Sequence, residues 1–202
     1  MPSSNTHEPL RFTHTSPLLR NFPGPKIEEN SQEKLFFHAS ELFESLEYDI
    51  ARARFSICAE MYIWSNDEVG NHFFQLREAA ATRGVEVRLI IDGVGSWFWI
   101  RANQAKLNSC RAQVKIFHAI RWASLRSVSR GFSKFVARMN RRNHKKVVVI
   151  DDAVAYVGSM NITKHSLMWK ECGLRLMGRS VPLLQELFED VWGRSEDRIK
   201  EK

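Results

Sequence analysis

Four apolar, β-branched residues stand in a row from Val147 to Ile150, and all seven residues before them, Asn140 to Lys146, are polar. A run this short and this β-branched reads as a buried strand. A second, "VAYVGS", follows the acidic pair Asp151–Asp152, which reads as the turn between them. Around these two, strand-like and helix-like segments alternate. "FSICAEMYIW", "VEVRLIID", "QVKIF" and "CGLRLMG" have strand character. "SNDEVGNHFFQLREAAATRG" opens on capping residues and closes on Gly84, as a helix does, and "VPLLQELFEDVWGR" forms another. Helical spacing of Leu35, Phe36, Ala39, Leu42, Phe43, Leu46 and Ile50 predicts a helix over 33–53, and a further helix is expected within 98–110. Strands interleaved with helices predict an α/β fold: a mixed β-sheet flanked by helices. Residues 1–31 hold most of the six prolines and read as a flexible leader; 32–202 read as one domain.

The charge is unevenly placed. Gly93 to Ile150 contains 13 Lys or Arg and no Asp or Glu, so the remaining 17 basic residues face all 23 acids, a net of −6. A basic stretch of this length is a footprint for a polyanion such as nucleic acid, an anionic membrane or a phosphate-bearing substrate. Within it, Trp122, Leu125, Val128, Phe132, Phe135 and Met139 step along one side and Arg126, Arg130, Lys134 and Arg138 along another, predicting a basic amphipathic helix. The apolar runs fall far short of the ~20 residues a membrane-spanning helix needs, and "MPSSNTHEPLRF" does not have the pattern of a secretion signal. Cys58, Cys110 and Cys172 are scattered, as in a reduced, cytoplasmic protein.

Strand alternation puts His144 and Lys146 on one side of the extended segment, with Val148 and Ile150. Asp151 closes that strand, and Gly158, Ser159 and Asn161 follow the next, placing a hydroxyl and an amide within reach of the same site. An imidazole beside a fixed ammonium suits phosphoryl chemistry: histidine attacks phosphorus or protonates a leaving oxygen, while lysine and asparagine donate to the non-bridging oxygens. No His or Cys grouping has metal-ligand spacing, so neither a metal nor another cofactor is expected.

His144-x-Lys146-x4-Asp151 followed by Gly158-Ser159-x-Asn161 resembles the HxKxxxxD and GSxN signature of the phospholipase D superfamily. "NRRNHKK", "AEMYIWSNDEVG" and "AAATRGVEVRLIIDGVGS" are similar to the N-terminal half of bacterial cardiolipin synthases, over roughly Leu35 to Trp192. The resemblance implies a phospholipase D-like α/β sandwich and an enzyme, a phosphodiesterase or phosphatidyltransferase working through a phosphohistidine. It makes His144, Lys146 and Asp151 the catalytic set, with His144 as nucleophile or general acid and Asp151 in support, orienting a histidine. Lys146, Ser159 and Asn161 bind phosphate, and Glu171 is a supporting carboxylate.

The family's complete site uses two such histidines, and this chain carries the motif once: His118 is followed by "AIRWAS" and His165 by "SLMWK". A homodimer, each copy supplying one His144 across a two-fold axis, completes the site; so does a complementary half-enzyme, while a degraded fragment would be inactive. The basic stretch and the aromatic trio Trp97, Phe98 and Trp99 suit an anionic phospholipid surface, hence a cytoplasmic protein peripheral to the inner membrane surface. The trio reads equally as a buried aromatic loop, and the same residues suit nucleic acid. The leading expectation is a cardiolipin synthase-like enzyme acting on phospholipids. The alternatives are a dimeric single-motif endonuclease and a non-catalytic lipid- or nucleic-acid-binding half-domain that needs a partner chain.

Overall fold

The computed structural model describes residues 32–117 and 144–197. The leader expected over 1–31 and the basic helix expected around Trp122 to Met139 lie outside them.

A single eight-stranded sheet runs through the fold in the order β1-β7-β6-β5-β2-β3-β4-β8. The strands are β1 (Gln32–His38), β2 (Ser56–Met61), β3 (Glu86–Asp92), β4 (Gln113–Phe117), β5 (Val147–Ile150), β6 (Val154–Gly158), β7 (Lys170–Met177) and β8 (Glu196–Asp197). The helices are α1 (Ala39–Arg52), α2 (Glu68–Thr82), α3 (Trp97–Ala102), α4 (Gln104–Ser109) and α5 (Ser180–Arg194). β2, β3 and β4 are parallel neighbours and the remaining pairs are antiparallel. The sheet is therefore mixed and flanked by helices, as the alternation of segments predicted.

The central strands are apolar on both faces because both are covered. Ile57, Ala59, Met61, Val148 and Ile150 join the core beneath α1 and α2. Cys58, Val147 and Val149 join a smaller one with Val181, Phe188 and Val191 of α5. Each Val, Ile, Met or Phe among them contributes about 1.5–3 kcal/mol when fully buried. Where β6 meets β7 the backbone leaves no room for a side chain at Gly158, and α1 crowds its partner Gly173. A Cβ on Gly158 would lie 2.5 Å from the Cys172 carbonyl oxygen, and one on its partner Gly173 would lie 2.0 Å from Leu42 of α1.

The first predicted helix divides. Residues 32–38 form β1 on the edge of the sheet, antiparallel to β7, and helix begins only at Ala39. Leu35 and Phe36 matched the helical spacing by coincidence, since a strand also turns Phe36 to the core and Leu35 away from it. Backbone pairing along β7 outweighs the helical pattern. The helix expected within 98–110 is instead α3 and α4. Asn103 separates them, its side-chain amide donating to Trp99 O at 3.0 Å and to Asn66 Oδ1 at 3.1 Å. α2 begins at its Asp67 cap, whose Oδ1 accepts from Gly70 N at 2.9 Å. It is followed by Gly84 at φ 94°, a left-handed position that glycine occupies freely. Asp151 and Asp152, at φ 54° and 51°, form the tight turn from β5 to β6, closed by Ala153 N donating to Ile150 O at 3.1 Å.

Candidate active site

The β2–β5, β5–β6 and β6–β7 registers bring four strand ends to one edge: the exits of β2 and β6 and the entries of β5 and β7. The edge collects side chains far apart in sequence.

His144 lies exposed on the extended lead into β5, its imidazole stacked on the phenol ring of Tyr62 with centroids 4.0 Å apart and planes at 25°. Tyr62 is 7% exposed and firmly seated. Its carbonyl accepts from Ser96 Oγ at 3.1 Å, and the Ser96 hydroxyl in turn accepts from Trp64 N at 2.8 Å. A Cβ on Gly95 would stand 2.4 Å from Tyr62 O and 2.9 Å from its ring. Asp92 Oδ1 holds the loop by accepting from Val94 N and Gly95 N, at 2.9 and 2.8 Å. "GVGS", legible in the sequence only as a turn, thus forms the wall behind His144. Sequence reasoning missed Tyr62 and Ser96 as site residues. What places Tyr62 there is the antiparallel pairing of β2 with β5, which sets the residue after Met61 beside the entry of β5 and leaves no mark in the sequence.

Lys146 is 8% exposed, its stem bordering a small apolar cavity with Leu42, Met61, Val148 and Met160. Its ammonium donates to the His144 carbonyl at 2.8 Å and lies 5.2 Å from the centre of the Tyr62 ring. Burial pushes its pKa below the usual lysine value, and the Glu171 carboxylate opposes the shift. The carbonyl bond occupies one of the three N–H donors, leaving two for an incoming oxygen.

Ser159 Oγ donates to Glu171 Oε2 at 3.1 Å and accepts from Cys172 N at 3.2 Å. Asn161 Oδ1 is sheltered from solvent and has no hydrogen-bond partner among the described residues, which leaves that side-chain oxygen uncommitted. His144, Lys146, Ser159, Asn161 and Glu171 therefore come together along one edge. They offer a ring nitrogen, an ammonium, a hydroxyl and an amide, with one carboxylate to orient the hydroxyl and face the ammonium.

Asp151 does not join them. It sits beyond the far end of β5, five residues and so about 17 Å along the strand from Lys146. There its Oδ1 accepts from Phe55 N at 2.7 Å and Ser56 N at 2.9 Å, and its Oδ2 from Arg54 N at 2.9 Å. These bonds clasp the α1–β2 connection to the β5–β6 turn. Within this chain the carboxylate thus supports the fold beneath the site, the structural part of the role expected of it, and among the described residues its hydrogen bonds go to backbone N–H groups. The aromatic trio also splits. Trp99 is core, packed on Trp64 and Phe74, while Phe98 is 85% exposed and Trp97 is half-buried against Arg101.

The family model for the cardiolipin synthase, phospholipase D-like domain matches residues 46–192, most of the chain. The chain belongs to this family. Cardiolipin synthase from Clostridium perfringens (strain SM101 / Type A) is 31% identical to this phospholipase D-like domain over 166 residues, 78% of this chain and 32% of that protein. Cardiolipin synthase 1 from Staphylococcus aureus (strain COL) is 30% identical over 178 residues, 85% of this chain and 34% of that one. The phospholipase D-like chain thus spans about a third of the length of the curated relatives it matches. Its fold is shared with NucT from Helicobacter pylori (TM-score 0.64, 16% identity), over 83% of this chain and 99% of that one. It is shared too with Nuc from Salmonella typhimurium, a phospholipase D family member (TM-score 0.61, 19% identity), over 83% and 97%.

Proposed function

We propose that this phospholipase D-like domain is a phosphodiesterase or phosphatidyltransferase that acts on phospholipids through a phosphohistidine on His144. The observation that carries the reading is the gathering of His144, Lys146, Ser159, Asn161 and Glu171 at one sheet edge. In the first step an imidazole nitrogen of His144 attacks the lipid phosphorus, and the bond from phosphorus to the headgroup alcohol breaks. That alcohol leaves with a proton from a second histidine. Lys146 and the Asn161 amide donate to the non-bridging oxygens, where negative charge grows. In the second step water or an acceptor alcohol attacks the phosphohistidine, gives its proton to the second histidine and frees His144. Two phosphatidylglycerol molecules would in this way yield cardiolipin and glycerol.

The second histidine is His144 of another copy, in a homodimer whose two-fold axis passes the site edge. The alternative donor is a complementary half-enzyme. Among the described residues no helix is long and apolar enough to cross a membrane, and the domain is proposed to act from the cytoplasmic side at the inner membrane surface. The acid-free, basic stretch from Gly93 to Ile150 favours one further reading, a nucleic-acid phosphodiester as substrate for the same chemistry.

The deciding experiment is turnover of phosphatidylglycerol vesicles in chelator by the full chain beside His144→Ala. Release of glycerol or phosphatidic acid by the wild type alone supports the proposal. Chelator-resistant cleavage of DNA or RNA without lipid turnover replaces the lipid with a nucleic acid. No turnover of either substrate defeats the stand-alone enzyme.

A further inference from the structure

The connection from β6 to β7 has its polarity reversed. After Asn161 the chain makes a 3-10 turn over Lys164–Met168, and this turn buries its hydroxyls. Thr163 and Ser166 are 8% and 3% exposed, with Thr163 Oγ1 accepting from Ser166 N at 3.1 Å and the two hydroxyls bonded at 3.2 Å. Leu167, Met168 and Trp169 point outward instead, 44%, 78% and 58% exposed. Single exposed apolar residues are ordinary, but three in succession on a tip whose polar groups face inward mark a contact surface.

The tip is also held in place. Lys164 N donates to Asp67 Oδ2 at 2.8 Å, and Ser65 N donates to Ile162 O at 3.0 Å beside the Trp64–Ile162 bridge. The prominence therefore stands at the site edge, in the connection that carries Asn161 at one end and Glu171 at the other. Phe98, the most exposed large apolar residue of the described chain, belongs to the connection after β3, whose end reaches the same edge. Exposed cations belong to the same connections: Lys170 follows Trp169, Arg101 lies on α3 with Phe98, Lys164 is paired with Glu68 at 3.0 Å, and His165 lies 5.3 Å from the Trp169 ring.

We propose that the Leu167–Met168–Trp169 turn, with Phe98 on the same edge, is a membrane-contact element that seats the active-site edge on an anionic phospholipid surface. The inference rests on the phospholipid reading of the site and adds where the chain meets the bilayer. Three properties favour a bilayer as the occupant. A phospholipid's phosphodiester lies at headgroup depth, so the edge bearing His144 must face the membrane. Tryptophan and methionine at a projecting tip enter the interfacial layer without needing a shaped groove. The lysines on either side meet lipid phosphates while their stems lie along the apolar layer.

The test is co-sedimentation of the full chain with vesicles of phosphatidylcholine alone and of equal parts phosphatidylcholine and phosphatidylglycerol. The wild type binds the mixed vesicles preferentially. Met168→Glu with Trp169→Glu lowers its partition coefficient by about tenfold or more. Phe55→Glu, the same kind of change at a 73% exposed residue on the opposite edge, leaves it within about twofold. The proposal is overturned if the wild type does not bind mixed vesicles, or if the double variant binds as the wild type does. It is equally overturned if the double variant dissociates a dimer in sedimentation velocity with vesicle binding intact, because the turn is then a protein interface. Wild-type turnover of monomeric short-chain phosphatidylglycerol separates the two readings. A wild type that binds vesicles through this turn but has no such turnover keeps the membrane contact and loses the enzymatic assignment.

Discussion

The two ends of β5 bear residues of one sequence signature and treat their polar groups in opposite ways. At the Lys146 end, donors and acceptors are left with capacity to spare: His144 is exposed, the ammonium spends one bond on a backbone carbonyl, and the Asn161 amide oxygen has no partner. At the Asp151 end every feature is committed, with three backbone N–H groups on one carboxylate and two consecutive left-handed residues. Spare hydrogen-bonding capacity is costly to a fold and useful to a ligand, whereas saturated capacity holds a chain in place. The signature thus joins a reactive edge to an anchored edge through four buried residues.

Substitutions at the two ends should therefore fail differently. The largest effect is expected from His144→Ala, which removes the nucleophile: turnover falls on the order of a thousandfold or more. Its thermal midpoint stays within about 2 °C of the wild type, because the residue is exposed; a midpoint drop matching the lost activity would make His144 structural. Next is Lys146→Met, which keeps the apolar stem and removes the charge. About a hundredfold loss of kcat/KM is expected, with stability at neutral pH equal to or above the wild type's, as measured by urea unfolding. The sign follows from burial: the folded state holds the Lys146 proton less tightly than the unfolded chain does, so the ammonium costs stability at pH 7.

Asp151→Ala reverses the pattern. Losing a carboxylate that accepts three backbone N–H groups costs about 2–3 kcal/mol, or about 5–10 °C in midpoint by calorimetry, with kcat per folded molecule within about threefold. Tyr62→Leu removes the ring beneath His144 and lowers kcat by about threefold to tenfold, whereas Tyr62→Phe keeps the stack and stays nearer the wild type. The smallest effect is a displacement along the pH axis. Since the Glu171 carboxylate raises the Lys146 pKa against the depression from burial, Glu171→Gln moves the alkaline limb of kcat/KM to lower pH. A limb that stays in place would mean that the Lys146 ammonium is not what titrates there.

Which of these residues the sequence disclosed depended on distance along the chain. His144 and Lys146 share a face of one extended segment, so strand alternation alone placed them together. Ser159 and Glu171 meet only because β6 and β7 pair; their positions came from the family signature, and their hydrogen bond from the register. Tyr62 was invisible for the same reason, as nothing in "AEMYIW" tells which strand will lie beside β2. Where Asp151 lends its support was not legible, because closeness in sequence suggests closeness in space, while an extended strand of four residues carries it to the opposite edge. β1 was read as helix because one turn of helical spacing and a strand's alternation agree at Phe36, and only β7 decides between them. The central sheet and α2 were legible, since strong periodicity and clear caps or turns marked them.

The most direct test is intact-mass and peptide analysis of protein quenched during turnover of phosphatidylglycerol, for the wild type, His144→Ala and Asp151→Ala. A phosphatidyl adduct on His144 is expected in the wild type and in folded Asp151→Ala, and none in His144→Ala. An adduct on another residue, or its loss in folded Asp151→Ala, would contradict the division of β5 into a reactive end and an anchored one.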